Sequence, residues 1–255
     1  MASSVINDHP EKIRYPLVER PFIGFLLAFM AGSMNAWTLP NAQTFATVQS
    51  GNVVQSGYWL AQGDWEKFTF PFLSVIAFGL GSAFCGILMT TLLRRRVVFT
   101  PFILFLQAAM LVVLWYLAHL KVQDPTAAIN PHYLAYAISF VAGMQGNAFH
   151  KDHGMLYGNV AVTFVVQMAF NFLIQGLFRK QGINGEPNLY WSGLFFLVLL
   201  GFASGGGIGF IIGDYVLESG AVLLPAVIAL IIGIVALRDA RQNGAVDPTA
   251  GGSFA

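Results

Sequence analysis

The sequence predicts an all-α integral membrane protein: six transmembrane helices as two inverted three-helix repeats, each with a broken or re-entrant segment. Three observations carry this reading: the scarcity of charge, its spacing, and an internal echo between the two halves. Of 255 residues, 56% are apolar and only 10% charged, with a formal net charge of +1 and a mean hydropathy of +0.65. Soluble domains carry about 25% charged residues, so these side chains could not wet a globular surface. That excludes a soluble globule, a nucleic-acid binder with a basic face, and a disordered chain. Lys, Arg, Asp and Glu are absent from 21–63, 68–93, 97–120, 125–150, 153–178, 187–213 and 219–237. A spanning helix needs about 20 apolar residues, so the chain is nearly all membrane. Runs such as Phe102–Leu117 do not alternate, which rules out transmembrane strands of about ten alternating residues.

Taken in order, residues 1–20 are a polar cytoplasmic N-terminal segment with Lys12, Arg14 and Arg20. Ala31-Gly32-Ser33 faintly mimics a signal-peptide cleavage site, but the polar lead and the many later spans point to an uncleaved first helix. Residues 21–120 form the first repeat. Its first uncharged run is too long for one helix and is broken by Pro40-Asn41. It divides into a span over Pro21–Thr38 and a second segment over Thr44–Gln62. Residues 121–132 connect to a second repeat over 133–237, in which Gly158–Phe178 is apolar but threaded with Asn, Thr and Gln. Residues 238–255 are a cytoplasmic tail whose end, rich in Gly, Ala and Asp, reads as disordered.

Lys and Arg favour the cytoplasmic side, and this arbitrates the number of spans. If Thr44–Gln62 and Gly158–Phe178 each return to the side they left, six spans remain. Only Lys67 and Lys121 of the 13 basic residues then face outward. Seven or eight spans split the positive charge far more evenly. Six spans with both termini cytoplasmic, in a bacterial inner membrane, is the expectation.

The halves echo each other. Phe29-Met30-Ala31-Gly32 recurs as Phe140-Val141-Ala142-Gly143, each followed by an Asn-Ala pair. Ser50-Gly51-Asn52-Val53 recurs as Tyr157-Gly158-Asn159-Val160, and Gly79-x-x-Ser82 as Gly201-x-x-Ser204. Pro101 and Pro225 stand at the start of the last span of each half. Three spans per half is an odd number, so the second copy is inverted, as in many secondary transporters.

These motifs resemble the YoaK family of small, multi-pass bacterial membrane proteins. The likeness rests on Ala-Gly-x-x-Asn-Ala at 31–36, Gln-Ser-Gly-Asn at 49–52 and Ala-Gly-Met-Gln-x-Asn-Ala at 142–148, and it covers residues 20–237. It implies a small-molecule transporter. Family members often place Asp where this chain has Asn35, and the missing carboxylate argues against proton or cation coupling there.

The polar-threaded segments are the candidate site. Asn159, Thr163, Gln167, Asn171 and Gln175 recur every four residues as one drifting helical stripe. Asn52 and Ser56 begin the same stripe in the first segment. Irregular backbone at membrane depth is tolerated only where it is buried in protein or lines a wet cavity. The candidate substrate-binding residues are therefore Asn35, Gln49, Asn52, Gln145, Asn147, Asn159, Thr163 and Gln167, with Asn52 and Asn159 at the focus. The competing reading is that these amides only glue helices together. Gly79, Ser82, Gly86, Gly201, Gly205, Gly209 and Gly213 read as helix-packing positions.

No Asp, Glu, Lys or Arg lies centrally in a span, which disfavours voltage sensors, carboxylate relays and ion pumps. Asp214 and Glu218 fall at the last interhelical turn. His150-Lys151-Asp152-His153 reads as a solvated loop rather than a metal site, and the lone Cys85 as a small buried hydrophobe. Tyr157 and Trp191 suit interface belts. Catalytic constellations are missing, so neither an enzyme, a cofactor nor a metal is expected. The expected function is transport of a small polar solute, uncharged or weakly charged, with membrane lipid and a second copy of the chain as candidate partners and no nucleic acid. A passive channel and a non-transporting scaffold are the alternatives.

Overall fold

The computed structural model describes residues 17, 20–95, 97–149, 151–152, 155–156, 160, 162–178 and 186–243. Among them are eight helices: α1 (Pro21–Ala42), α2 (Gln49–Ala61), α3 (Trp65–Arg94), α4 (Phe99–Gln123), α5 (Pro131–Ala148), α6 (Val162–Leu177), α7 (Asn188–Tyr215) and α8 (Gly220–Asn243). A ribbon of two-residue strands, β1 (Lys151–Asp152) and β2 (Met155–Leu156), pairs antiparallel between α5 and α6. Five helices, α1, α3, α4, α7 and α8, are long and apolar enough to cross a membrane. At 1.5 Å per residue, α2 and α6 reach only ~20 and ~24 Å, short of the bilayer's hydrocarbon thickness of about 30 Å.

The expected sixth span, α5, has 18 residues but is not among the five. Its position explains its composition. It packs against α1, α3 and α4, and ten of its residues, Ser139 and Gln145 among them, are buried. A helix surrounded by protein has no lipid to satisfy, so it carries small and polar residues that lower its hydropathy. Asn130 caps it, accepting the His132 backbone N–H, and Pro131 opens the first turn. Asp64 likewise accepts the Lys67 backbone N–H at 3.0 Å at the start of α3. That bond and the nearby ammonium hold its carboxyl below the usual range.

The first helix runs four residues past its expected end. Pro40 lies in its last turn, and the helix stops at Gln43, which is left-handed with φ 52° and donates its backbone N–H to the Leu39 carbonyl. Pro225 likewise lies inside α8 rather than at its start.

The packing is paired. The helix α1 packs on α7 and α3 on α5; α2 lies along α3 and α6 along α7. The last helices of each half, α4 and α8, pack on each other, α1 touches α8, α4 touches α5, and α1 meets α5. Exchanging α1–α4 for α5–α8, element by element, returns the same set of pairs.

Four Phe-x-x-Gly steps make the two main crossings. A methyl group built on Gly32 would overlap the Phe202 carbonyl, and one on Gly205 the Phe29 carbonyl. One on Gly81 would overlap the Phe140 carbonyl, and one on Gly143 the Phe78 carbonyl. Each crossing therefore brings backbone against backbone, as small residues permit. The expected landmark Gly79 faces open space, whereas its expected counterpart Gly201 lies against the Phe25 carbonyl. The structural counterparts are Gly81 and Gly205.

Trp191 corrects the interface-belt assignment: it is 1% exposed. The helix α6 covers that face of α7, and Trp191 packs beside Phe172. Tyr157 lies outside the described residues. Exposed Tyr58 and Trp65, flanking the α2–α3 turn, have the belt character instead.

Candidate functional site: a cavity between two short helices

The chain between α1 and α2 folds back into the protein. Asn35 Oδ1 accepts the Thr47 backbone N–H at 3.1 Å, and Asn35 Nδ2 donates to Thr47 Oγ1. Asn35 stands 14 residues along α1, about 21 Å from its start, so Thr47 returns to a level about 10 Å below the end of the helix it has just left. The helix α2 therefore begins at depth and climbs back to the Gly63 turn.

Asn52 fixes the irregular stretch. Its Oδ1 accepts the Phe45 N–H at 3.0 Å, and its Nδ2 donates to the Phe45 carbonyl at 2.7 Å and to Gln49 Oε1 at 2.9 Å. Ser74 of α3 also donates to the Phe45 carbonyl, at 2.9 Å, and shares a 2.8 Å hydrogen bond with Ser139 of α5. Asn52, Ser74 and Ser139 are fully buried, Gln49 is half-buried, and these side chains supply the partners that a broken backbone loses away from water.

A cavity of about 720 Å³ opens beside this network. Thr47, Val48, Gln49 and Ser50 line it from the start of α2, and Val160, Val162, Thr163, Phe164 and Gln167 from the start of α6. Phe78 and Ser82 of α3, with Gly146 and Asn147 of α5, close the side between them. No Asp, Glu, Lys or Arg is among these described lining residues. The hydroxyls of Ser50, Ser82 and Thr163 and the Gln167 amide have no hydrogen-bond partner among the described residues. Asn147 hydrogen-bonds the Cys85 thiol.

Of the eight sequence candidates, Gln49, Asn147, Thr163 and Gln167 meet at the cavity. Asn35 and Asn52 stand behind its wall and hold the break in place. Gln145 is also buried, and its Nε2 donates to the Leu27 carbonyl at 2.7 Å, tying α5 to α1. Asn159 lies outside the described residues, although Val160 beside it lines the cavity. So do His150 and His153; among the described residues no group of three potential metal ligands occurs. Sequence reasoning missed Ser50 as a lining group and the Ser74–Ser139 pair as its support. Single serines in long apolar helices carry no signal that distinguishes them.

A bundle with five membrane-length apolar helices and three further helices, two of which open onto one cavity, defines a multi-pass membrane protein. The chain belongs to the DUF1275 family, described as proteins of unknown function, whose family model matches residues 23–235. No curated protein and no solved structure matches it.

Proposed function

We propose that the protein is a carrier that moves a small polar solute across a bacterial cytoplasmic membrane, with no catalytic step. The observation that carries this reading is the 720 Å³ cavity bounded by the first residues of both α2 and α6. Secondary transporters built from inverted repeats bind their solutes at such discontinuous helices. In this reading α5 is the sixth span, α2 and α6 are re-entrant, and both termini are cytoplasmic. The exchange symmetry of the helix pairs and the reciprocal Phe-x-x-Gly crossings support two equivalent halves. The resemblance to the YoaK family points the same way.

Gln49, Asn147, Thr163 and Gln167 are the proposed solute-contacting residues, joined by Ser50 and Ser82. Asn35, Asn52 and Gln145 keep their geometry. Membrane lipid surrounds the bundle. The test is reconstitution in proteoliposomes with a panel of radiolabelled small solutes. Saturable uptake with accelerated counterflow supports a carrier. Flux linear in concentration, without counterflow, contradicts it in favour of a channel, and no flux for any solute favours a scaffold.

A further inference from the structure

We infer that the cavity opens to the cytoplasmic face along a ramp on α6 formed by Thr163, Gln167, Asn171 and Gln175, by which a water-soluble solute reaches it from that side; this rests on the carrier reading above. The four residues recur at every fourth position over about 18 Å, which puts them on one slowly drifting stripe. Thr163 and Gln167 line the cavity, and Asn171 and Gln175 carry the stripe beyond it. Thr163, Gln167 and Asn171 are exposed and Gln175 is half-buried. Gln175 Nε2 donates to Asn171 Oδ1 at 3.1 Å, whereas the Gln167 amide has no partner among the described residues. An amide is costly in hydrocarbon unless its groups are paired, so the stripe belongs against water.

The neighbouring helix gives the stripe its direction. Phe164 stands beside Phe195, Phe172 beside Trp191, and Gly176 against the Leu189 side chain, so α6 runs antiparallel to α7. Ser192 of α7 also donates to the Ala169 carbonyl at 2.9 Å. The stripe therefore begins about 10 Å along α7 from its start and ends level with the first residues of that helix. With six spans, that end of α7 is cytoplasmic. The other short helix differs. Beyond Ser50, α2 exposes Val53, Val54, Gly57, Tyr58, Leu60 and Ala61, while Asn52 and Ser56 are buried and Gln55 is half-buried. Such a face suits lipid. On the outward side the stretch behind the cavity wall is closed: Thr44, Ala46 and Thr47 are buried, and Asn35 and Asn52 hold it by the hydrogen bonds described above. Among the described residues, the polar way out of the cavity is the one along α6.

The test needs no solute. Gln167→Cys and Asn171→Cys on the stripe, and Val166→Cys and Phe170→Cys on the exposed apolar flank of the same helix, are made singly in a Cys85→Ala background. A charged, membrane-impermeant thiol reagent is applied to inverted and to right-side-out vesicles. The two stripe variants are expected to react in inverted vesicles at least ten-fold faster than the two flank variants, and at least ten-fold faster than they themselves do in right-side-out vesicles. Gln167→Trp, which fills the ramp, is expected to slow cytoplasmic labelling of Ser50→Cys at least ten-fold, while Phe170→Trp leaves it unchanged. Asn171→Trp makes the same test should Gln167→Trp not fold. Stripe variants that react no faster than the flank would overturn the inference: lipid then covers the stripe or, if Gln167→Cys crosslinks between chains on oxidation, a second copy does. Faster labelling from right-side-out vesicles, or no effect of Trp on the ramp, would overturn it as well. Ser50→Cys judges the cavity separately. If it is labelled while the stripe stays silent, the ramp falls and the carrier site stands; if it is silent from both sides, the carrier site falls and the ramp with it.

Discussion

Gly81→Ala is the sharpest test of how the bundle is assembled. The new methyl group would overlap the Phe140 carbonyl, which is backbone and cannot rotate away. Relief requires α3 and α5 to part, and a gap of about 1 Å forfeits up to roughly half of each contact's dispersion well. The crossing also holds the reciprocal approach of Gly143 to the Phe78 carbonyl, and Cα–H···O contacts of this kind contribute about 0.5–1 kcal/mol each. With overpacking strain of about 1–3 kcal/mol, the expected loss is about 2–4 kcal/mol. Gly79→Ala is the matched control. It lies two residues away on the same helix, its added methyl meets nothing within 4 Å, and alanine favours a helix over glycine by about 0.5–1 kcal/mol. Equilibrium unfolding of both variants in mixed micelles, against the parent, gives the two differences directly. Gly79→Ala is expected to be neutral or stabilising and Gly81→Ala strongly destabilising. Stabilities within about 0.5 kcal/mol of each other, the scatter usual for innocuous substitutions, would refute the close-crossing argument.

Asn52→Leu should act on folding, because it leaves the part-buried Phe45 N–H without its acceptor at a cost of about 1–3 kcal/mol; thermal unfolding should show this, while Ser50→Ala melts with the parent. Gln145→Leu should cost only about 0.6 kcal/mol, the mean for hydrogen bonds between membrane helices. The Leu27 carbonyl keeps its in-helix donor, and the substitution removes a buried Oε1 that has no partner among the described residues; a loss above about 2 kcal/mol, beyond the range measured for such bonds, would contradict this. Tags inserted at residues 2 and 250 should both resist external protease in intact cells, since 11 of the 13 basic residues lie on the cytoplasmic side in the six-span arrangement. Exposure of one tag alone would refute an even number of spans.

The long helices were legible because charge avoids hydrocarbon: the gaps between charged residues outline them. The helix α5 was legible as an uncharged run, yet its buried position between α1, α3 and α4 removes the lipid-facing surface that makes spans conspicuously apolar. The first break was legible only in its neighbourhood: Pro40 lies in the last turn of α1 and Gly51-Asn52 in the first turn of α2, on either side of the non-helical stretch 43–48, while Gly158-Asn159 lies outside the described residues. Which side chain faces which neighbour was not legible. Ser50 lines the cavity while Asn52 turns to the Phe45 backbone, and Gly81 makes the crossing that Gly79 does not. Both pairs differ by two residues, about 200° around a helix, and only the packing of the partner helix decides between them. The amide stripe invited the choice of Asn52 as a ligand. Its carbonyl and amino groups are instead those best suited to replace the paired donor and acceptor that the Phe45 backbone lost.

The central claim is that a water-reachable site lies deep in the protein between the starts of α2 and α6. Single cysteines at Ser50 and at Thr163, each in a Cys85→Ala background, test it most directly when a membrane-impermeant thiol reagent is applied to right-side-out and inverted vesicles. The account predicts that both positions react although they stand at membrane depth, and that modifying either one blocks solute uptake. Cysteines that stay unreactive from both sides in a folded protein would contradict it, and the residues around them would then be packing alone.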